Sequence, residues 1–158
     1  VILDSGAHAI DYIVTLFGAI QETNGIRGQI SALQIESEDF ASINLVCKSG
    51  MIISVILDYF SKPKRHSVEI QFTKGWALWN FASDEVRWYR DKTKKTRSYK
   101  PYRELFSPEK KRNAMYLAEM KHFMELVASK RRDNPQDLPR AKRVLEMLGE
   151  IKRQAVKL

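Results

Sequence analysis

Cysteine is nearly missing from this chain: Cys47 is the only one among 158 residues. No disulfide can therefore close within the chain, and the CxxC and Cys/His spacings of structural zinc are missing too. A single cysteine also fits a reducing, cytoplasmic setting. No apolar run approaches the ~20 residues that span a bilayer. No basic region precedes the first apolar residues, and Asp4 interrupts them, so no signal peptide is expected. Beginning without Met, inside an apolar run, the sequence reads as a piece of a longer chain. It holds no internal repeats and no low-complexity tracts. Phosphate loops, GxGxxG, the nucleophile elbow and HExxH are all absent, and with them the commonest signatures of nucleotide binding, serine hydrolysis and zinc proteolysis.

What is present is globular in character. Apolar residues make up 44% and charged residues 29%, and 158 residues suffice for one domain, 1–158, with a core of its own. Lys and Arg number 27 against 19 Asp and Glu, a net charge of +8. Much of the excess lies in Arg87 to Arg103, RWYRDKTKKTRSYKPYR, where Asp91 is the one acid and aromatics are interleaved. Such a run suits a nucleic-acid or phosphate surface, because cations release counterions and aromatic rings stack bases. It equally suits a solvated edge strand, where lysines discourage strand-to-strand aggregation. Trp88 and Tyr89 fit a strand and no RNA-binding motif surrounds them, which favours the edge strand.

Periodicity orders the rest. Ile10, Ile13, Val14 and Phe17 fall at helical spacing behind Asp4 and Ser5, either of which can cap, and Gly18 ends the helix. Gln21 to Gly25 reads as a connector. Ile26–Ile35, Phe40–Lys48 and Met51–Leu57 read as strands, the last two as a hairpin about Lys48-Ser49-Gly50. Val68–Phe72, Trp76–Phe81 and Val86–Arg90 continue an antiparallel meander. Ser107-Pro108-Glu109 starts a second helix carrying Tyr116, Met120, Phe123, Met124 and Val127; Lys130–Asn134 and Pro135 end it. Asp137-Leu138-Pro139 starts a third, with Val144, Leu145, Leu148 and Ile151 as its apolar face. The expected class is α+β: an open, predominantly antiparallel sheet of about six strands with helices on one face. Trp76, Leu78, Trp79, Phe81, Trp88 and Tyr89 cannot all point at the helices, so the other face is expected to meet a second copy of the chain.

One polar stripe stands out chemically. Asp4, His8, Asp11 and Thr15 recur at steps of four and three, so a histidine lies between carboxylates one turn away on either side. Carboxylates favour a protonated imidazole, which suits proton exchange near neutral pH. On spacing alone, a solvated polar face is the commoner arrangement. Asp58 and Tyr59 close a strand and could offer a carboxylate and a phenol at a sheet rim; Arg65 lies in the basic break beyond. His66 fits a solvated loop, His122 a helix surface, and Cys47 a small buried apolar position. No residues suggest a metal.

Read as a whole, the chain resembles the C-terminal α/β domain of the glucose-fructose oxidoreductase, inositol dehydrogenase and rhizopine catabolism (Gfo/Idh/MocA) family. LDSGAHAIDYIVTLFG looks like that family's Leu-x-Asp-x-Gly-x-His-x-x-Asp stretch and the helix after it. SGMIISVILDYF, GWALWNF and RNAMYLAEMKHFMELV match further family segments in order. The resemblance implies a dihydrodipicolinate-reductase-like C-terminal domain of an NAD(P)-dependent oxidoreductase acting on a sugar or polyol hydroxyl. His8 would exchange the hydroxyl proton and Asp4 support it; Asp11, Asp58, Tyr59 and Arg65 would contact substrate. An N-terminal Rossmann domain, absent from this chain, would hold NAD or NADP, so this fragment alone is expected to bind no cofactor and to be inactive. The open sheet face would serve a homo-oligomer. Two other readings remain: a basic module that binds nucleic acid through Arg87 to Arg103, and a purely structural oligomerisation domain.

Overall fold

The computed structural model describes residues 1–83, 85–100, 108–129 and 138–158. The chain divides into two compact units, Val1–Ser61 with Asp133–Leu158, and Lys62–Arg132. Among the described residues are three helices and eight strands, arranged as two open four-stranded sheets. The class is α+β and the sheets are mainly antiparallel, as the sequence predicts, but the meander divides into two sheets rather than forming one of about six strands.

In the first unit, α1 (Ser5–Phe17) precedes β1 (Ile20–Gly28), β2 (Phe40–Cys47) and β3 (Ile52–Asp58). The sheet order is β3-β2-β1-β8, closed by the short parallel β8 (Val156–Lys157) at the far edge of β1. Alternation along β2 turns Ala41, Ile43, Leu45 and Cys47 to one face. There they pack with Ile10 and Ile13 of α1 and with Val144, Leu148 and Ile151 of α3 (Leu138–Gln154). Leu145, expected on the same stripe of α3, is instead 58% exposed. Cys47 is sealed in this core, and burial pushes its thiol up.

The first strand lies earlier than the Ile26–Ile35 that the sequence predicts. Gln21–Gly25 lies inside β1, and Ile30–Ile35 lies beyond it in a loop. Asn24-Gly25 has the composition of a turn, yet Gly25 is there because β2 runs close: a Cβ would lie 2.3 Å from the Ser42 carbonyl oxygen. The loop is held by Asp39, which is fully buried and accepts from the Ile30 and Ser31 backbone N–H groups at 2.8 and 3.0 Å and from the Ser31 hydroxyl.

The second unit holds β4 (Ser67–Phe72), β5 (Gly75–Asn80), β6 (Glu85–Arg90) and β7 (Lys95–Tyr99) in sequential antiparallel order, together with α2 (Pro108–Ser129). The basic run thus supplies the edge strand β7. Trp76 pairs with Tyr89 and Trp79 with Val86, so these aromatics divide between the two faces. Tyr116, Met120, Phe123, Met124 and Val127 of α2 are all more than half exposed. The Ser107 cap, the Lys130–Asn134 and Pro135 stop and the Asp137 cap lie outside the described residues.

Candidate active site

Asp4 occupies the N-cap position of α1, but its side chain makes no capping hydrogen bond. A capping carboxylate would be consumed by backbone N–H groups. Here the helix start is closed by main chain, Ala7 N–H donating to the Asp4 carbonyl at 3.0 Å. The freed carboxylate accepts from the Tyr59 hydroxyl at 2.9 Å and, more weakly, from the Ser5 hydroxyl at 3.4 Å. Tyr59 follows β3 directly, and its backbone N–H donates to the Asp39 carbonyl at 3.0 Å. Burial, the hydrogen bond to Asp4 and the negative charges of Asp4 and Glu38 push the Tyr59 phenol up to about 12. Tyr59 is therefore a fixed donor throughout the neutral range, not a base.

One turn beyond Asp4, His8 projects from the exposed side of α1, opposite Ala9, Ile10 and Ile13 of the core. Its imidazole makes no hydrogen bond or ion pair among the described residues, leaving both ring nitrogens to solvent or ligand. Asp11 is differently placed. Its carboxylate meets Arg140 of α3 at 2.8 and 2.9 Å, and Arg140 also donates to the Asp11 carbonyl and the Thr15 hydroxyl. Asp58 folds back on its own chain, accepting from the Phe60 and Ser61 backbone N–H groups at 3.1 and 2.6 Å and from the Ser61 hydroxyl at 2.8 Å. That turn sets the direction in which Tyr59 leaves the sheet. Arg65 is exposed in the second unit. The structure thus gathers Asp4, His8 and Tyr59 and turns Asp11 to Arg140 and Asp58 to its own turn, while Arg65 belongs to the second unit.

Two buried carboxylates behind the site were not singled out from sequence. Glu38 is 6% exposed and accepts from Ile2 N–H at 3.2 Å and from Lys152 at 3.0 Å, with Arg27 at 3.9 Å. Burial alone would raise its pKa, but Lys152, the backbone donors and the Val1 nitrogen outweigh it and hold the carboxyl down at about 2. Asp39 is likewise lowered, its backbone and Ser31 donors overcoming burial. Only their position after a run of loop residues, Glu36 to Asp39, could have marked them. Of the other candidates, His122 is exposed on α2, while His66, though exposed, lies against Trp79 and Phe81 with ring centroids 5.1 and 5.3 Å away.

Chemically, this arrangement is an accessible imidazole one turn from a carboxylate that a neutral phenol holds. It can take or return a proton at a ligand hydroxyl. The helix N-terminus does not suit a pyrophosphate, because the residue that opens α1 is an acid. Among the described residues no three His, Cys, Asp or Glu side chains converge as metal ligands, and no helix is long and apolar enough to cross a membrane.

Residues 1–78 match the GFO/IDH/MocA C-terminal domain. Among curated proteins, none matches the chain. Among solved structures, an oxidoreductase from Agrobacterium radiobacter in complex with NAD+, L-tartaric acid and magnesium is similar at a TM-score of 0.81 and 17% identity, over 98% of this chain and 46% of that one. UDP-N-acetylglucosamine 3-dehydrogenase from Acidithiobacillus ferrooxidans aligns with a TM-score of 0.76 at 17% identity, covering 98% of this chain and 46% of its own. A levoglucosan dehydrogenase in complex with NADH and levoglucosan gives 0.76 and 17%, over 96% and 47%. At these identities the likeness is one of fold, and the chain spans just under half the length of each.

Proposed function

We propose that this chain, whose residues 1–78 match the Gfo/Idh/MocA oxidoreductase C-terminal domain, is the substrate-binding domain of an NAD(P)-dependent enzyme that oxidises a sugar or polyol hydroxyl. The observation that carries this reading is His8, exposed one turn from an Asp4 carboxylate that Tyr59 holds. Removing hydride from a carbinol carbon requires that its oxygen lose a proton, and an imidazole with both ring nitrogens accessible can accept it. Asp4 keeps a negative charge beside the imidazolium that results. Tyr59 keeps that carboxylate from swinging into the vacant capping position. Asp58 and Asp11 are kept as substrate contacts in this proposal, and Arg65, in the second unit, is kept as a contact only by the family resemblance. The hydride acceptor in this proposal is NAD or NADP held by a Rossmann domain outside this chain. A reducing, cytoplasmic setting is part of the same reading, supported only by Cys47 being the one cysteine of the sequence.

The test uses the enzyme that joins this chain to its dinucleotide domain. His8→Ala is expected to lower kcat by about 10²- to 10⁴-fold with little change in KM. Turnover within a factor of two of the parent would leave α1 without a catalytic part and return the chain to a structural role.

A further inference from the structure

The second unit carries a sorted distribution of charge that the proposed dehydrogenase site does not use. Along β7, Lys95 and Arg97 alternate with Thr96 and Ser98, so both cations point to one face. On β6 that face carries Trp88 and Arg90: Arg90 pairs directly with Lys95, and Trp88 with Arg97. Like charges set directly opposite each other across two strands destabilise the pair. An edge strand protected against aggregation needs lysines but does not need them opposite an arginine and around one indole. The neighbouring Lys94 is already neutralised by Asp91 at 3.4 Å. Arg90, Lys95 and Arg97 have no anionic partner among the described residues.

These side chains enclose a cavity. Trp88, Arg90, Thr93, Lys95 and Arg97 line a recess of about 90 Å³, open on one side. Trp88 and Arg90 also border a shallower, mostly apolar groove of about 440 Å³, floored by Gly75 and Ala77 and lined by Phe72, Val86 and Lys74. The small residues of β5 keep that floor low between the Phe72 and Trp88 rings. The recess has room for one tetrahedral anion, and the groove has room for the body to which it is attached.

We propose that Arg90, Lys95 and Arg97, with Trp88 as the wall, bind the terminal phosphate of a phosphate monoester whose body lies in the groove over Gly75 and Ala77. Three cations more than neutralise a dianion, and the guanidinium groups give it paired donors. The shared chemistry is the monoester; a phosphosugar and a mononucleotide both carry it, the second with a ring that can stack on Trp88.

The experiment titrates the chain with inorganic phosphate, glucose 6-phosphate and uridine 5′-monophosphate at constant ionic strength, following heat and tryptophan fluorescence. At least one ester is expected to bind saturably and more tightly than inorganic phosphate, and whichever ester is tighter identifies the source. K95A/R97A is expected to weaken that binding about tenfold or more, as is Arg90→Gln on the neighbouring strand, with the far-ultraviolet spectrum unchanged. Lys94→Ala is expected to stay within about twofold, because Asp91 already holds that charge. No saturable binding by either ester, or equal binding by the parent and both recess variants, overturns the proposal. So does tighter binding of a single-stranded oligonucleotide lacking terminal phosphates, with a steep salt dependence, which would make the patch a nucleic-acid surface.

Discussion

At the scale of single residues, the informative group is a carboxylate that declines its usual work. Asp4 stands where a helix cap stands and caps nothing, because Tyr59 holds its oxygen at 2.9 Å. The pairing has a spectroscopic consequence. Tyr59 is pushed up to about 12 by burial together with Asp4 and Glu38, so the alkaline titration of the parent minus that of Tyr59→Phe should isolate one late phenol. Asp4→Asn should bring that phenol back toward the ordinary tyrosine value near 10, since the charge that opposes phenolate is gone. An unmoved midpoint in Asp4→Asn would mean that the hydrogen bond is not what holds Tyr59 protonated. The spacing of Asp4 and His8 was legible in the sequence because a helix returns to one face every four residues. The Tyr59 partner was not, since it reaches Asp4 across 55 positions of chain that only the β2–β3 hairpin folds back.

Elements are joined by groups whose contribution can be separated by pH. Glu38, at the entrance to β2, accepts from Ile2 ahead of α1 and from Lys152 at the end of α3, with Arg27 of β1 nearby. Its folded pKa of about 2 lies below the ordinary glutamate value of about 4.5. The stabilisation is therefore complete above the unfolded value and is lost as pH falls from about 4.5 toward about 2. It amounts to at most about 3 kcal/mol. Glu38→Gln should melt lower than the parent near neutral pH, and the two melting curves should converge in acid; parallel curves would remove Glu38 as the cause. A second joint is steric. Gly25→Ala would place a Cβ 2.3 Å from the Ser42 carbonyl oxygen and 2.9 Å from the Ile43 Cα, forcing β1 from β2 at a cost of about 2 kcal/mol or more in denaturant unfolding. This glycine explains the misread strand. Asn-Gly signals a turn when flanking residues alternate, but β1 carries Thr23, Gly25 and Arg27 on its covered face and so lacks an apolar alternation to contradict the turn. The helices α1 and α3, with Ile10, Ile13, Leu148 and Ile151 repeating toward the core, were readable for the opposite reason.

For the whole molecule, the decisive feature is what the first sheet leaves uncovered. Its inner face is filled by α1 and α3, while its outer face carries an Asn24–Asn44–Ser54 hydrogen-bonded row with apolar residues on both sides. Ile26, Ile56 and Val156 lie on one side of that row, Ser42 among them, and Ile52 lies on the other; Ile52 and Ile56 are 75% and 69% exposed. Branched apolar side chains standing in register on an open sheet are stabilised by meeting a like surface, and the central polar row gives such a meeting its register. The sequence foresaw an uncovered face but located it among the tryptophans of the second unit, because the Ser61–His66 break looks like any turn and does not announce a second sheet. Sedimentation over a concentration series should therefore give a mass that rises with concentration for the parent. I52K/I56K should stay at the mass of one chain over the same range and keep the parent's melting temperature, since neither side chain contributes to the core. A parent that remains a single chain at every concentration would detach the isoleucine face from assembly, and the proposed enzyme would then need another surface to associate.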